Sequence, residues 1–101
     1  MMRAVWHGAV LAQAERTVVV EGSHYFPPES LDCRYFAASG MRSLCFWKGL
    51  ARYYTVTVDG HTNANAAWYY PHPSPFARRI KNHVAFWKGV LVEEAVPEGR
   101  R

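Results

Sequence analysis

Glu21 is the carboxylate best placed to act chemically in this chain. It ends the β-branched run Thr17 to Val20 and opens the stretch Glu21-Gly22-Ser23-His24-Tyr25-Phe26-Pro27, in which Ser23, His24 and Tyr25 can all reach one pocket. A carboxylate beside a histidine and a tyrosine is a workable general-base arrangement. The plain alternative is a strand-end glutamate paired with a surface arginine, since isolated carboxylates are usually solvated. A second group is aromatic: Tyr53, Tyr54, Trp68, Tyr69 and Tyr70, to which Lys48 and Arg52 add positive charge. Tyrosine and tryptophan present a flat apolar face with a hydrogen-bonding edge, which suits a planar ligand such as a nucleobase. Aromatic strands are also simply good sheet and core formers. Trp68 and Tyr70 share a face if their segment is extended, so they are the pair expected to bind.

Other reactive residues give weaker signals. Cys33 and Cys45 form no CxxC pair, and a nucleophilic cysteine needs a helix N-terminus or a nearby cation to lower its pKa. Lys48 lies three residues beyond Cys45 and would be on the opposite face of an extended strand, so Cys45 reads as a buried structural thiol. Histidines 7, 24, 61, 72 and 83 show neither HxH nor HExxH spacing. No metal site and no cofactor are expected. No GxxxxGK[ST] or GxGxxG sequence is present to cradle phosphates.

The elements that must position these groups are mostly strands. The tripeptide Trp-x-Gly recurs three times, as Trp6-His7-Gly8, Trp47-Lys48-Gly49 and Trp87-Lys88-Gly89, with tryptophans 41 and 40 residues apart. Each copy is followed by a strand-like segment: Ala9 to Ala12, Leu50 to Val58, and Val90 to Glu93. If the copies are extended, Trp and Gly face one way and the residue between them the other, giving a tryptophan-lined core with His7, Lys48 and Lys88 pointing outward or into a strand-end cleft; the alternative is that one or two of these rings wall a pocket. Thr17 to Val20 is expected to pair with Ala9 to Ala12 as an antiparallel hairpin. Tyr54, Val56 and Val58 alternate with Tyr53, Thr55 and Thr57, and Asp59-Gly60 supplies a tight turn behind them. Ser74-Pro75, followed by Phe76, Ile80 and Val84, predicts a helix over 75 to 82. A shorter helix is expected to open at Pro28, and Pro71 to Pro75 must be an extended wrap across the surface.

At 101 residues, with half of them apolar, the chain forms one domain with a real core; its bulk lies at 3–94, followed by a basic tail at 95–101. The 15% aromatic content is the unusual entry in its composition. The formal charge of +4 falls to +2 once Arg100 and Arg101 are set aside, and the remaining cations are scattered, so nucleic acid is not an expected partner. No apolar run nears the roughly 20 residues that span a bilayer, and no secretory signal is read at the start, so a cytoplasmic location without membrane association is expected.

Four segments together resemble a known family. They are Val20 to Pro27, Cys45-Phe46-Trp47-Lys48-Gly49-Leu50-Ala51-Arg52-Tyr53-Tyr54, Ala66-Ala67-Trp68-Tyr69-Tyr70-Pro71, and Ile80 to Trp87. In order and spacing they resemble the small bacterial proteins of domain of unknown function family 427, which also carries a nucleotidyltransferase-like label. The resemblance covers roughly residues 3 to 94 and implies a compact, mostly β domain, found alone or in tandem. Ser23, Phe46 and Asn65 depart from the Asn, Pro and Asp common in that family. Nucleotidyl transfer needs paired carboxylates for Mg²⁺, and Glu21 and Asp59 stand singly.

The sequence thus points to a mainly β domain, an antiparallel barrel-like or sandwich sheet of six to eight short strands with one or two short helices. The leading function is a small-ligand binding domain with an aromatic-lined pocket built from Glu21, Tyr25, Lys48, Tyr53, Trp68 and Tyr70, with His24 nearby. One alternative is an enzyme on a small or nucleotide-like substrate, with Glu21 as base and Lys48 stabilising an anion. Another is an interaction module whose aromatics meet a second protein or a second copy of the chain as a homodimer.

Overall fold

Turn dipeptides that join a polar residue to a glycine organise the chain. His7-Gly8, Glu21-Gly22, Asp59-Gly60 and Lys88-Gly89 all have positive φ at both positions, the backbone of a type I′ turn, whose twist matches that of antiparallel strands. The computed structural model describes residues 1–96. The expected tail at 95–101 therefore lies largely outside the described residues.

Nine strands lie between and beyond these turns: β1 (Met2–Trp6), β2 (Ala9–Ala14), β3 (Val18–Val20), β4 (Ser23–Tyr25), β5 (Phe36–Cys45), β6 (Gly49–Val58), β7 (His61–Tyr69), β8 (Val84–Phe86) and β9 (Leu91–Glu94). That is one more than the upper expectation, because several strands are only three or four residues long. They form a three-stranded sheet in the order β2-β1-β9, a two-stranded ribbon β3-β4, and a four-stranded sheet β5-β6-β7-β8, with every strand pair antiparallel. The ribbon is joined to the edge of the large sheet by reciprocal backbone hydrogen bonds of 2.8 Å between Phe26 and Val84.

The large sheet is the middle of a sandwich-like arrangement. On one face, Val56, Val58 and Ala67 pack against Ala4, Leu11 and Ala12 of the three-stranded sheet. On the other, Ala51, Tyr53 and Ala85 pack against Val20 and Tyr25 of the ribbon and against Ala77 and Ile80. The expected alternation of β6 produces this division, since residues one apart in a strand face opposite ways.

Three expectations change. Ala9 to Ala12 pairs with Met2–Trp6, and Val18–Val20 pairs with Ser23–Tyr25, so the two segments do not form a hairpin with each other. The positive-φ turns at His7-Gly8 and Glu21-Gly22 give each of them a nearer partner. The predicted helix over 75 to 82 is a kinked 3-10 segment, Pro75–Ile80, with Ala77 at φ −122° and hydrogen bonds such as Ala77 N to Ser74 O at 2.9 Å. Asn82, in the left-handed region at φ 60°, closes it and feeds β8. The shorter helix is likewise two 3-10 turns, Pro28–Ser30 and Cys33–Tyr35.

The Trp-x-Gly tripeptides are the third change. They lie at strand ends and in turns, where the alternation of an extended strand does not apply. Trp47 and Trp87 are consequently exposed, while Lys48 is the single buried charged residue among those described.

Candidate functional site

Two hairpin tips meet over the second face of the large sheet. Val20 pairs with Ser23, so Glu21 and Gly22 are the two-residue tip between β3 and β4. Glu21 adopts φ 53°, a conformation that costs an ordinary side chain roughly 1–2 kcal/mol and that Asn or Gly would accept more readily. Cys45 pairs with Gly49, which leaves Phe46, Trp47 and Lys48 as the tip between β5 and β6. Gly49 has φ 115°, and a Cβ there would stand 3.2 Å from the His72 carbonyl oxygen. The Pro71 to Pro75 wrap seats against this tip as a result: Ser74 N donates to Lys48 O at 3.0 Å, and Ser74 Oγ donates to Trp47 O. Prolines keep the wrap stiff, and the wrap holds the backbone of Lys48 in place.

Between the tips lies a cavity of about 210 Å³. Glu21, Tyr25, Lys48, Tyr53, Trp68 and Tyr70 all line it, together with Val20, Ser23 and Trp87. His24 does not. It sits between Ser23 and Tyr25 on β4 and faces the other way, where its Nδ1 pairs with Thr17 Oγ1 at 2.6 Å. Tyr54 and Tyr69 are also absent, because the alternation of β6 and β7 sends them to the other side of the sheet, stacked on each other with ring centroids 4.7 Å apart. The aromatic group read from the sequence is therefore two groups, one on each face.

Charge in the cavity is concentrated in one pair. Lys48 is 7% exposed, and its Nζ donates to Glu21 Oε1, while Trp47 Nε1 donates to Glu21 Oε2 at 3.3 Å. The Glu21 side chain is 57% exposed. The hydrogen bonds from Lys48 and then Trp47 hold the Glu21 carboxyl below its ordinary pKa. Burial pulls the Lys48 ammonium down, but the bond to Glu21 and neighbouring charges more than offset it, and its pKa lies above the ordinary value. The ammonium also stands 5.8 Å from the centre of the Tyr70 ring and 5.2 Å from that of Trp47, within reach of a cation–π contact.

The remaining walls are neutral hydrogen-bonding aromatics. Trp68 Nε1 donates to Tyr25 Oη at 3.1 Å, and the Tyr53 and Ser43 hydroxyls pair at 2.8 Å. Burial raises the pKa of Tyr25, against a smaller lowering by the Trp68 bond, and burial likewise raises that of Tyr70. Both phenols stay protonated through the physiological range. Trp87 closes one side, edge-on to Trp68 at 5.7 Å, with its Nε1 bound to Asn65 O at 2.6 Å.

Of the tryptophans read first as core, Trp87 lines the cavity, and Trp47 touches the site only through its bond to Glu21. The signal that places them is the Lys88-Gly89 turn and the left-handed Gly49, which put both indoles at strand ends instead of mid-strand. Cys45 packs at the edge of the second apolar cluster, and Cys33 is exposed on its 3-10 turn. Among the described residues, no three His, Cys, Asp or Glu side chains gather where they could hold a metal ion. No described helix is long and apolar enough to cross a membrane.

No curated protein is similar enough to this chain to match it. Residues 1–97 match the family described as a domain of unknown function, DUF427, and the chain belongs to that family.

Proposed function

We propose that this protein binds a small planar ligand in the cavity between the β3–β4 and β5–β6 tips. The observation that carries the reading is the convergence of a buried ammonium, two neutral phenols and the Trp68 and Trp87 rings on one cavity of about 210 Å³. Drug-sized ligand pockets run from roughly 300 to 1,000 Å³, so the occupant is about the size of a single substituted ring. A nucleoside triphosphate is larger than this cavity, and among the described residues Glu21 is the only carboxylate on its wall. The residues present therefore do not suit the Mg²⁺-triphosphate chemistry that the family's nucleotidyltransferase-like label suggests.

Binding is favoured over catalysis by the state of Glu21. A general base works best with a pKa near the operating pH, whereas the bonds from Lys48 and Trp47 hold this carboxyl below its ordinary value. Tyr70 is 5% exposed and packs within its own chain, which favours a pocket wall over a surface for a protein partner.

The test is tryptophan fluorescence and thermal shift against single-ring compounds: nucleobases, aromatic acids and aromatic amides. At least one class should quench fluorescence and raise Tm with concentration. Ser23→Trp, which fills the cavity from a strand position that accepts large aromatics, should abolish both effects while the variant remains folded. Equal binding by wild type and Ser23→Trp, or no binding by any class, refutes the proposal.

A further inference from the structure

Lys48 and Glu21 are not equivalent partners. Lys48 is 7% exposed and its carbonyl oxygen is held by Ser74 N at 3.0 Å, so the root of its side chain is fixed at the cavity and its ammonium is largely shielded from water. Glu21 has a side chain 57% exposed on a two-residue tip, so rotation of that side chain alone carries its carboxylate into water. Its two oxygens are also divided between two donors, Oε1 taking Lys48 Nζ and Oε2 taking Trp47 Nε1. The protein thus presents a two-donor cradle for a carboxylate and fills it with one of its own.

We infer that the cavity is a receptor for a planar aromatic acid, and that Glu21 holds the place the acid's own carboxylate takes when it binds. The inference rests on the small-ligand reading above and adds the ligand's charge class. A buried ammonium left without a counter-charge is strongly unfavourable, and Glu21 is the only anion paired with Lys48 among the described residues. A neutral ligand that pushes Glu21 aside leaves Lys48 uncompensated; an anionic one replaces the charge it displaces. A cationic ligand meets the Lys48 charge directly. The neighbouring groups agree with this sign, since Tyr25 and Tyr70, whose phenols stay protonated and add no negative charge, line the same cavity. Glu21 also occupies a left-handed backbone position where Asn or Gly would be easier, and local strain of that kind is concentrated at functional positions.

The experiment compares benzoate with benzamide, which match in shape and differ in charge, by calorimetry and tryptophan fluorescence at pH 7. Wild type, Glu21→Gln, Glu21→Asn and Lys48→Met are each titrated with both. Benzoate is expected to bind about tenfold more tightly than benzamide to wild type. Glu21→Gln, which keeps the shape and removes the competing charge, should tighten benzoate by about fivefold and benzamide by no more than that, since both are relieved of displacing the same carboxylate. Glu21→Asn, which suits the turn, should act in the same direction, and Lys48→Met should erase the preference for the acid. Benzamide or a nucleobase binding while benzoate does not overturns this inference and leaves the small-ligand reading standing. So does a loss of benzoate affinity in Glu21→Gln. Failure of every planar ring to bind overturns both.

Discussion

Glu21 and Lys48, 27 residues apart in the chain, form an ion pair across the mouth of the cavity because each sits on the tip of a different hairpin. The pair joins the small ribbon to the large sheet at a place where no backbone hydrogen bond does so. Its two members differ sharply in exposure, and this asymmetry sets what each substitution should do.

Replacing the buried partner should cost little stability. Lys48→Met keeps the length of the side chain, removes an ammonium that must otherwise be desolvated, and frees Glu21 into water. Removing one partner of a buried ion pair is costly when the other charge stays buried, but here the charge left behind, Glu21, has a side chain 57% exposed and is solvated where it stands. Tm should stay within about 4 °C of wild type, or rise, in a calorimetric scan, even as acid binding is lost. A large drop in Tm would mean that the pair is a structural clamp.

The tip of β3–β4 carries an energetic tension that a different substitution relieves. Glu21 lies at φ 53° ahead of Gly22, and asparagine is the residue favoured at this position of a type I′ turn. Because Glu21→Asn and Glu21→Gln both take the carboxylate from Lys48 and differ in fitness for the turn, Glu21→Asn should melt about 3 °C above Glu21→Gln. Equal Tm values for the two variants would remove backbone strain at this tip from the account.

Gly49 fixes the other tip through its backbone. An alanine there would meet the His72 carbonyl at 3.2 Å and would have to hold φ 115°. Gly49→Ala should destabilise the protein by about 2 kcal/mol in urea unfolding and should also weaken ligand binding, because the wrap that seats Lys48 must shift. Unchanged stability would remove the wrap from the account of how Lys48 is placed.

Stability should fall at both ends of the pH scale for separable reasons. Glu21 and Asp32 have folded pKa values below their ordinary ones, the first through Lys48 and the second through Arg34. Their contribution is fully present above the unfolded carboxylate range and is lost as pH falls through the lowered folded values. At the alkaline end, burial raises Tyr25 and Tyr70, so their contribution is present below about pH 10 and is lost as pH rises through the folded values. Glu21→Gln should flatten the acid limb and, by removing the bond that raises Lys48, part of the alkaline limb, whereas Tyr70→Phe should flatten the alkaline limb only. A phenolate titration followed by absorbance should show Tyr25, Tyr54 and Tyr70 ionising above the ordinary phenol value.

The bond from Trp68 to Tyr25 spans the floor of the cavity at 3.1 Å. Trp68→Phe leaves an apolar ring but no donor, and should cost about 1–2 kcal/mol in chemical denaturation. Tyr25→Phe should cost about as much, and the double variant less than the sum, since both remove one bond. Full additivity would show that the two side chains act independently.

Much of this was readable in the chain. The alternation of Tyr53 to Val58, the turn at Asp59-Gly60 and the stiff run from Pro71 to Pro75 are local properties, set by side-chain period and backbone sterics, and they carry over directly into β6, its turn and the wrap. Glu21, Tyr25, Lys48, Tyr53, Trp68 and Tyr70 were singled out by type and neighbourhood, and they line one cavity. The Trp-x-Gly copies were misread because the alternation rule needs an extended backbone, and His7, Gly49 and Lys88 leave it through positive φ. The hairpin assigned to Thr17 to Val20 failed for a related reason: a β-branched run shows that a strand exists without naming its partner.

By itself the sequence determined the class of the domain, the positions of most strands, and the residue types available to a site, because these follow from periodicity, turn chemistry and composition. Tertiary structure alone decided which strands pair, that Tyr54 and Tyr69 leave the site while Trp87 lines it, and that Lys48 pairs directly with Glu21. Those outcomes depend on which face of the large sheet each side chain reaches and on how two distant hairpin tips are brought together, and both are set by non-local packing that no single segment encodes.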